Sequence, residues 1–172
     1  SRRLATALFY GLKTDTNNLT RKVHDADVEA FRYLRTRADE NMIRNIELSQ
    51  MPMSTLDTFS IAISNRKVIR DVAFSYIGHR ENPDEAVYLV DLFIKLSGIT
   101  WAVVACRTDE KMVVLFRTDG LRRHAGKVAE ETFLEYGTAG GHRTMARAEL
   151  RIERVQEEVN GLNDVALERW LL

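Results

Sequence analysis

Three groups of residues carry side chains able to do chemistry. The first is Lys13-Thr14-Asp15-Thr16-Asn17-Asn18, one carboxylate among small hydroxyl and amide residues. Such a carboxylate can bind a hard cation, because magnesium and manganese take oxygen ligands. A two-metal hydrolytic site needs several carboxylates or histidines to hold ions about 4 Å apart, so Asp15 alone cannot make one. It can equally cap a turn through its own backbone. The second group is Gly137-Thr138-Ala139-Gly140-Gly141-His142-Arg143. Glycines let backbone N–H groups approach an anion as a nest, and an imidazole and a forked guanidinium follow, which suits a phosphate or nucleotide. A flexible turn between two elements would read the same. The third is Arg117, at the end of an apolar run with Arg122, Arg123 and His124 close behind. Strand ends in α/β sheets present ligand contacts, although a solvated surface arginine has the same local pattern.

Composition limits what these groups can belong to. The 172 residues are 45% hydrophobic and 29% charged, the balance of a folded chain of one ordinary or two small domains. Twenty-five basic and twenty-five acidic side chains cancel, so any anion site must be local. Cys106 is the only cysteine, which excludes an internal disulfide and a thiolate metal cluster and fits a reducing, cytoplasmic setting. No run approaches the roughly 20 apolar residues of a membrane span, so no membrane partner is expected. His24 and His79 lack partners at metal-ligand spacing and read as surface residues. Walker-type, nucleophile-elbow and zinc patterns are missing from the sequence.

The elements that would position these groups follow from periodicity. Residues 4–12 are apolar almost all round a helix, the pattern of a segment buried on most sides, and no capping residue is evident at Ser1-Arg2-Arg3. The polar run 13–21 reads as a loop. A helix over about 26–35 carries Val28, Phe31 and Leu34 with Asp25 as cap, and another after Asp39 carries Met42, Ile43 and Ile46. The pattern breaks at Gln50 to Pro52, which sets a boundary between residues 1–50 and 51–172. Beyond it come a helix with Leu56, Phe59 and Ile63, one strand over 68–77, and a helix opened by Asn82-Pro83-Asp84-Glu85 and closed near Gly98. Residues 101–106 and 112–116 read as a hairpin around Thr108-Asp109-Glu110-Lys111. A helix with Val128, Ala129 and Phe133, a loop over 137–143, a strand with Ala146, Ala148, Leu150 and Ile152 inward, and a helical tail complete the chain. The expected class is α/β: a mixed β-sheet domain flanked by helices, preceded by a small helical segment.

Ala5-Thr6-Ala7-Leu8-Phe9-Tyr10-Gly11-Leu12-Lys13-Thr14-Asp15-Thr16 resembles the last motif of the DHH (RecJ-like) phosphoesterase catalytic domain. Residues from about Leu56 onward resemble the domain associated with it, whose glycine-rich GGH signature matches Gly140-Gly141-His142 and whose nucleotide-contacting arginine matches Arg117. The resemblance implies that Asp15 ligates a manganese or magnesium ion in an intact parent, with residues 1–50 the C-terminal remnant of the catalytic domain. It further implies that Arg117, Gly140, Gly141, His142 and Arg143 hold a nucleotide, short oligonucleotide or single-stranded nucleic acid. Two departures stand out: Asn17 replaces the family's usual glycine, and Arg147 its usual small residue. The upstream aspartates and the Asp-His-His triplet are not in this sequence.

The expectation is therefore the substrate-holding part of a metal-dependent phosphoesterase, inactive alone and without stably bound metal. Its alternatives are a non-catalytic nucleotide-binding regulatory module and a polyphosphate-acting relative; a homodimer is left open.

Overall fold

The computed structural model describes residues 1–20, 23–48, 51–159, 161 and 163–172, which fall into two compact units, Ser1–Met53 and Ser54–Leu172. Gln50, where the sequence pattern breaks, and Arg21, where the polar run ends, lie outside the described residues.

In the first unit, α1 (Arg2–Asp15) begins at a cap, with the Ser1 Oγ accepting the N–H of Leu4 at 3.3 Å. The helix is longer than its apolar letters suggested, because Lys13 to Asp15 continue it rather than opening a loop. Its burial is also narrower: Ala5, Thr6 and Phe9 face inward, whereas Leu4 and Leu8 are 58% and 53% exposed. α2 (Asp25–Arg35) starts one residue earlier than the expected cap, from His24, whose N–H donates to Asp27 Oδ2 at 2.9 Å. Before α3 (Glu40–Leu48), Asp39 Oδ1 accepts the N–H groups of Asn41 and Met42 at 3.1 and 3.2 Å. The Asp39 N–H itself donates to Thr6 Oγ1 at 2.8 Å, tying α1 to the start of α3. Phe9, Ala38 and Ile43 form the small core, with Phe31 tilted against Phe9 at 4.7 Å between centroids. Met42 and Ile46, expected inward, are exposed in this unit.

The second unit runs α4 (Thr55–Ser64), β1 (Lys67–Ile69), β2 (Val72–His79), α5 (Glu85–Phe93), β3 (Trp101–Arg107), β4 (Lys111–Thr118), α6 (Ala125–Phe133), β5 (Gly137–Gly141), β6 (Met145–Arg151), α7 (Ile152–Val159) and α8 (Asp164–Leu171). Its sheet has the order β1-β2-β3-β4-β6-β5, with β2 and β3 parallel and the other neighbours antiparallel. The mixed α/β architecture is the one the sequence predicts: α5 makes the crossover that parallel strands need, and Thr108 to Lys111 close the β3–β4 hairpin. Two details differ. The run 68–77 is two strands, because Arg70 takes φ +58° and turns the chain back on itself. Residues 137–141, read as loop, form the edge strand β5.

Alternation along the strands builds two apolar layers. Ala73, Ile77, Val104, Val113 and Leu115 pack with Leu89 and Phe93 of α5. Phe74, Tyr76, Val114, Phe116, Ala148 and Leu150 pack on the other face with Ala129 and Phe133 of α6, Val155 and Leu167. Each fully buried large side chain stabilises by roughly 1.5–3 kcal/mol, so both faces must be covered for the sheet to persist. A polar clamp fixes α8: Asp164 Oδ1 accepts from the Tyr76 hydroxyl at 2.8 Å and from Arg107 Nε at 3.1 Å. Among the described residues no helix is long and apolar enough to cross a membrane.

Candidate functional site

Strand register assembles the site candidates of the second unit. Arg117 on β4 stands opposite Met145 on β6, and Ala146, the next β6 residue, stands opposite Gly141 on β5. With neighbouring strands about 4.8 Å apart, the Arg117 and Gly141 backbones are roughly 10 Å apart across one strand. Phe116 points into the core beneath α6, so Arg117 points to the opposite face. There its Nε donates to Asp91 Oδ1 of α5 at 2.6 Å, and its side chain is 17% exposed.

Packing explains most of the glycines nearby. Gly141 has φ +154°, and a Cβ on it would run into the carbonyl oxygen of Met145 and the Ala146 backbone. A Cβ on Gly137 would strike the carbonyl oxygen of Glu149. Gly126, in the first turn of α6, lies where a Cβ would be 2.5 Å from the Gly141 carbonyl oxygen. Gly140 is the exception. Its φ is not in the positive region, and a Cβ there would meet only Glu130 Oε1, at 3.4 Å.

The anion nest expected in this run is not what the backbone forms. The His142 N–H donates to the Met145 carbonyl at 2.7 Å, closing the β5–β6 turn. The carbonyls of His142 and Arg143 accept the N–H groups of Gly126 and Ala125 at 3.0 and 2.9 Å. His124 Nδ1 accepts from Lys127 N at 3.3 Å. The first-turn amides of α6 are thus engaged, and binding chemistry here falls to side chains, among which His142 is exposed. Arg143 is engaged as well: its Nε donates to the Gly120 carbonyl at 2.5 Å and its Nη2 to the Leu121 carbonyl at 3.3 Å. It stitches the β5–β6 turn to the 119–124 segment, from which Arg122 and Arg123 extend exposed.

Arg147 has a structural account. It pairs with Asp84 Oδ1 and Glu149 Oε1, both at 2.8 Å, and Lys111 Nζ sits 2.6 Å from Glu149 Oε2. The Lys111 contact first, and the Arg147 contact with it, hold the Glu149 carboxyl below its ordinary range. Sequence reasoning missed Asp91 and Glu130. Asp91 had a signal, the one charged residue inside Ala86-Val87-Tyr88-Leu89-Val90-Asp91-Leu92-Phe93; Glu130 had none.

Asp15, in the first unit, is the last residue of α1 and is exposed. A carboxylate at a helix C-terminus faces the negative end of the dipole, a position that favours a cation beside it. Asn17, Asn18 and Leu19 follow with φ of +48°, +57° and +62°. Among non-glycine residues asparagine enters this region most readily, which accounts for Asn17 where the resemblance leads one to expect glycine. Among the described residues no three His, Cys, Asp or Glu side chains converge to hold a metal ion.

Comparison with known proteins extends this picture. No family model matches the chain. It is 31% identical over 151 residues to an uncharacterized protein of Methanocaldococcus jannaschii, covering 87% of this chain and 31% of that protein. An exopolyphosphatase-related protein from Bacteroides fragilis shares its fold, with a TM-score of 0.71 at 19% identity, over 99% of this chain and 51% of that one. The chain thus spans about a third to a half of the length of these relatives.

Proposed function

We propose that this chain is the C-terminal part of a DHH-family, RecJ-like phosphoesterase, acting in the cytoplasm, and that its second unit holds the substrate. The substrate is a nucleotide, a short oligonucleotide or single-stranded nucleic acid, bound by Arg117, Gly140, Gly141, His142 and Arg143. Gly140 carries the reading: it is the glycine of the run that neither its φ nor a backbone neighbour demands. A position without a side chain on an edge strand, with the Glu130 carboxylate beside it, leaves room for a base or sugar and offers it an acceptor. Arg117 and His142 supply positive charge or donors for phosphate, and Arg143 acts by holding the turn in place.

Asp15 is one ligand of a manganese or magnesium site completed by residues of the intact parent. Metal there would supply the hydroxide and clamp the phosphate. The 172 residues bind and do not turn over.

The test has two arms. In the intact parent with manganese, Asp15→Ala should abolish release of mononucleotide from a dinucleotide. The 172-residue chain should bind the dinucleotide without releasing product, and steady turnover by it would overturn the assignment. Hydrolysis that survives Asp15→Ala would favour a non-catalytic, nucleotide-sensing module. The fold shared with an exopolyphosphatase-related protein makes inorganic polyphosphate the second substrate to assay beside the dinucleotide.

A further inference from the structure

Asp71, Thr100, Trp101, Arg122, Arg123 and Val128 line a cleft of about 300 Å³ where β2 and β3 begin. Arg117, Gly140, Gly141, His142 and Arg143 are not among the residues that line it. We propose that this cleft binds one further nucleotide of a single-stranded oligonucleotide, with its base on Trp101 and its flanking phosphates on Arg122 and Arg123. The proposal rests on that reading and names its substrate class as a strand longer than a dinucleotide.

The residue types match the parts of a nucleotide. Trp101 is half-buried and packs against the core under α6, so its indole is held in place while part of it lines the cleft. A fixed aromatic face stacks any base, and such stacking contributes about 1–3 kcal/mol per base. Arg122 and Arg123 are exposed, and no salt bridge holds either of them among the described residues. Their charge is available to phosphates. Asp71 accepts the Thr100 hydroxyl at 2.5 Å, and this hydrogen bond keeps its carboxyl below the ordinary range. An ionised carboxylate only accepts, which suits an exocyclic amine or a ribose hydroxyl and would oppose a phosphate at that spot. An aromatic face, two arginines outside any salt bridge and one acceptor in the same cleft fit a nucleotide better than a bare anion.

A single turn links the cleft to the first site. The Asp119 N–H donates to the Thr100 carbonyl at 3.1 Å, and Arg143 holds the carbonyls of Gly120 and Leu121. One turn therefore borders both sites, and a strand leaving the glycine run would meet Arg122 and Arg123 next.

Trp101 and Trp170 are the two tryptophans, so a Trp170→Phe chain reports on the cleft through Trp101 alone. Oligoadenylates of two to six nucleotides are the probes. Longer strands should quench Trp101 and bind about tenfold more tightly than the dinucleotide, the gain of one stacked base. Arg122→Glu with Arg123→Glu should erase that gain and leave dinucleotide affinity unchanged; both positions are exposed, so the fold is retained. Equal affinity for all lengths without quenching would overturn the proposal. If the dinucleotide fails to bind while longer strands still quench Trp101, the cleft stands and the Arg117–His142 reading falls.

Discussion

Gly126 and Gly141 meet backbone to backbone: a Cβ on Gly126 would stand 2.5 Å from the Gly141 carbonyl oxygen. The first turn of α6 can approach β5 only because Gly126 has no side chain, whereas Gly141 is required by the β6 backbone beside it, and the candidate site is built on that approach. Gly126→Ala should therefore push α6 off the edge strand and cost about 1–3 kcal/mol, the range for overpacking. Urea unfolding would measure it, and unchanged stability would refute the contact. By contrast Gly140→Ala meets only the end of a glutamate side chain; it should fold normally and weaken nucleotide binding.

Arg117→Ala removes a guanidinium that is paired with Asp91 on the sheet face under α5. Dinucleotide affinity should fall at least about tenfold, the loss of one charge-assisted contact, while the partly exposed ion pair costs stability no more than about 1 kcal/mol. Calorimetric titration and thermal melting separate the two quantities. A large melting shift with affinity retained would make Arg117 a structural residue instead.

Glu149 links stability to pH. Lys111 and Arg147 hold its carboxyl below the ordinary range in the folded chain, so the folded state binds that proton less readily than the unfolded chain does. The stabilisation is present above the unfolded value, about 4.3, and is lost as pH falls through the lower folded value. Denaturation curves recorded down this range should show wild-type stability declining more steeply than Glu149→Gln, whose side chain does not titrate. Parallel declines would argue against the pairing.

Cys106 is fully buried, and burial pushes its thiol up to about 12. At pH 8 the thiolate is scarce and unreachable, so a thiol reagent should label it only in denaturant. Prompt labelling of the native chain would mean that β3 opens.

Asn17 makes a further point testable. At φ +48° an alanine costs about 1 kcal/mol or more, whereas glycine enters the region freely. Thermal melts of Asn17→Ala and Asn17→Gly should rank in that order, and equal melts would deny the left-handed turn.

Much of this was local enough to be legible in one dimension. The 3.6-residue spacing of Val128, Ala129 and Phe133 predicts α6, and the paired apolar runs around Thr108 to Lys111 predict the β3–β4 hairpin. A crossover helix and a hairpin in one chain require a mixed sheet. The types of the candidate residues, and the order of Asp15, Arg117 and the glycine run, are likewise properties of the sequence alone. What those residues touch is not, because it depends on partners 15 to 30 positions away. The sheet register sets Gly141 against Gly126, gives Arg117 to Asp91, turns Arg143 toward the carbonyls of Gly120 and Leu121, and leaves Gly140 bare with no packing reason. The same glycine letters thus served an open edge at Gly140 and close backbone packing against β6 at Gly141. That distinction is made by which backbone lies opposite, and only the folded sheet supplies it.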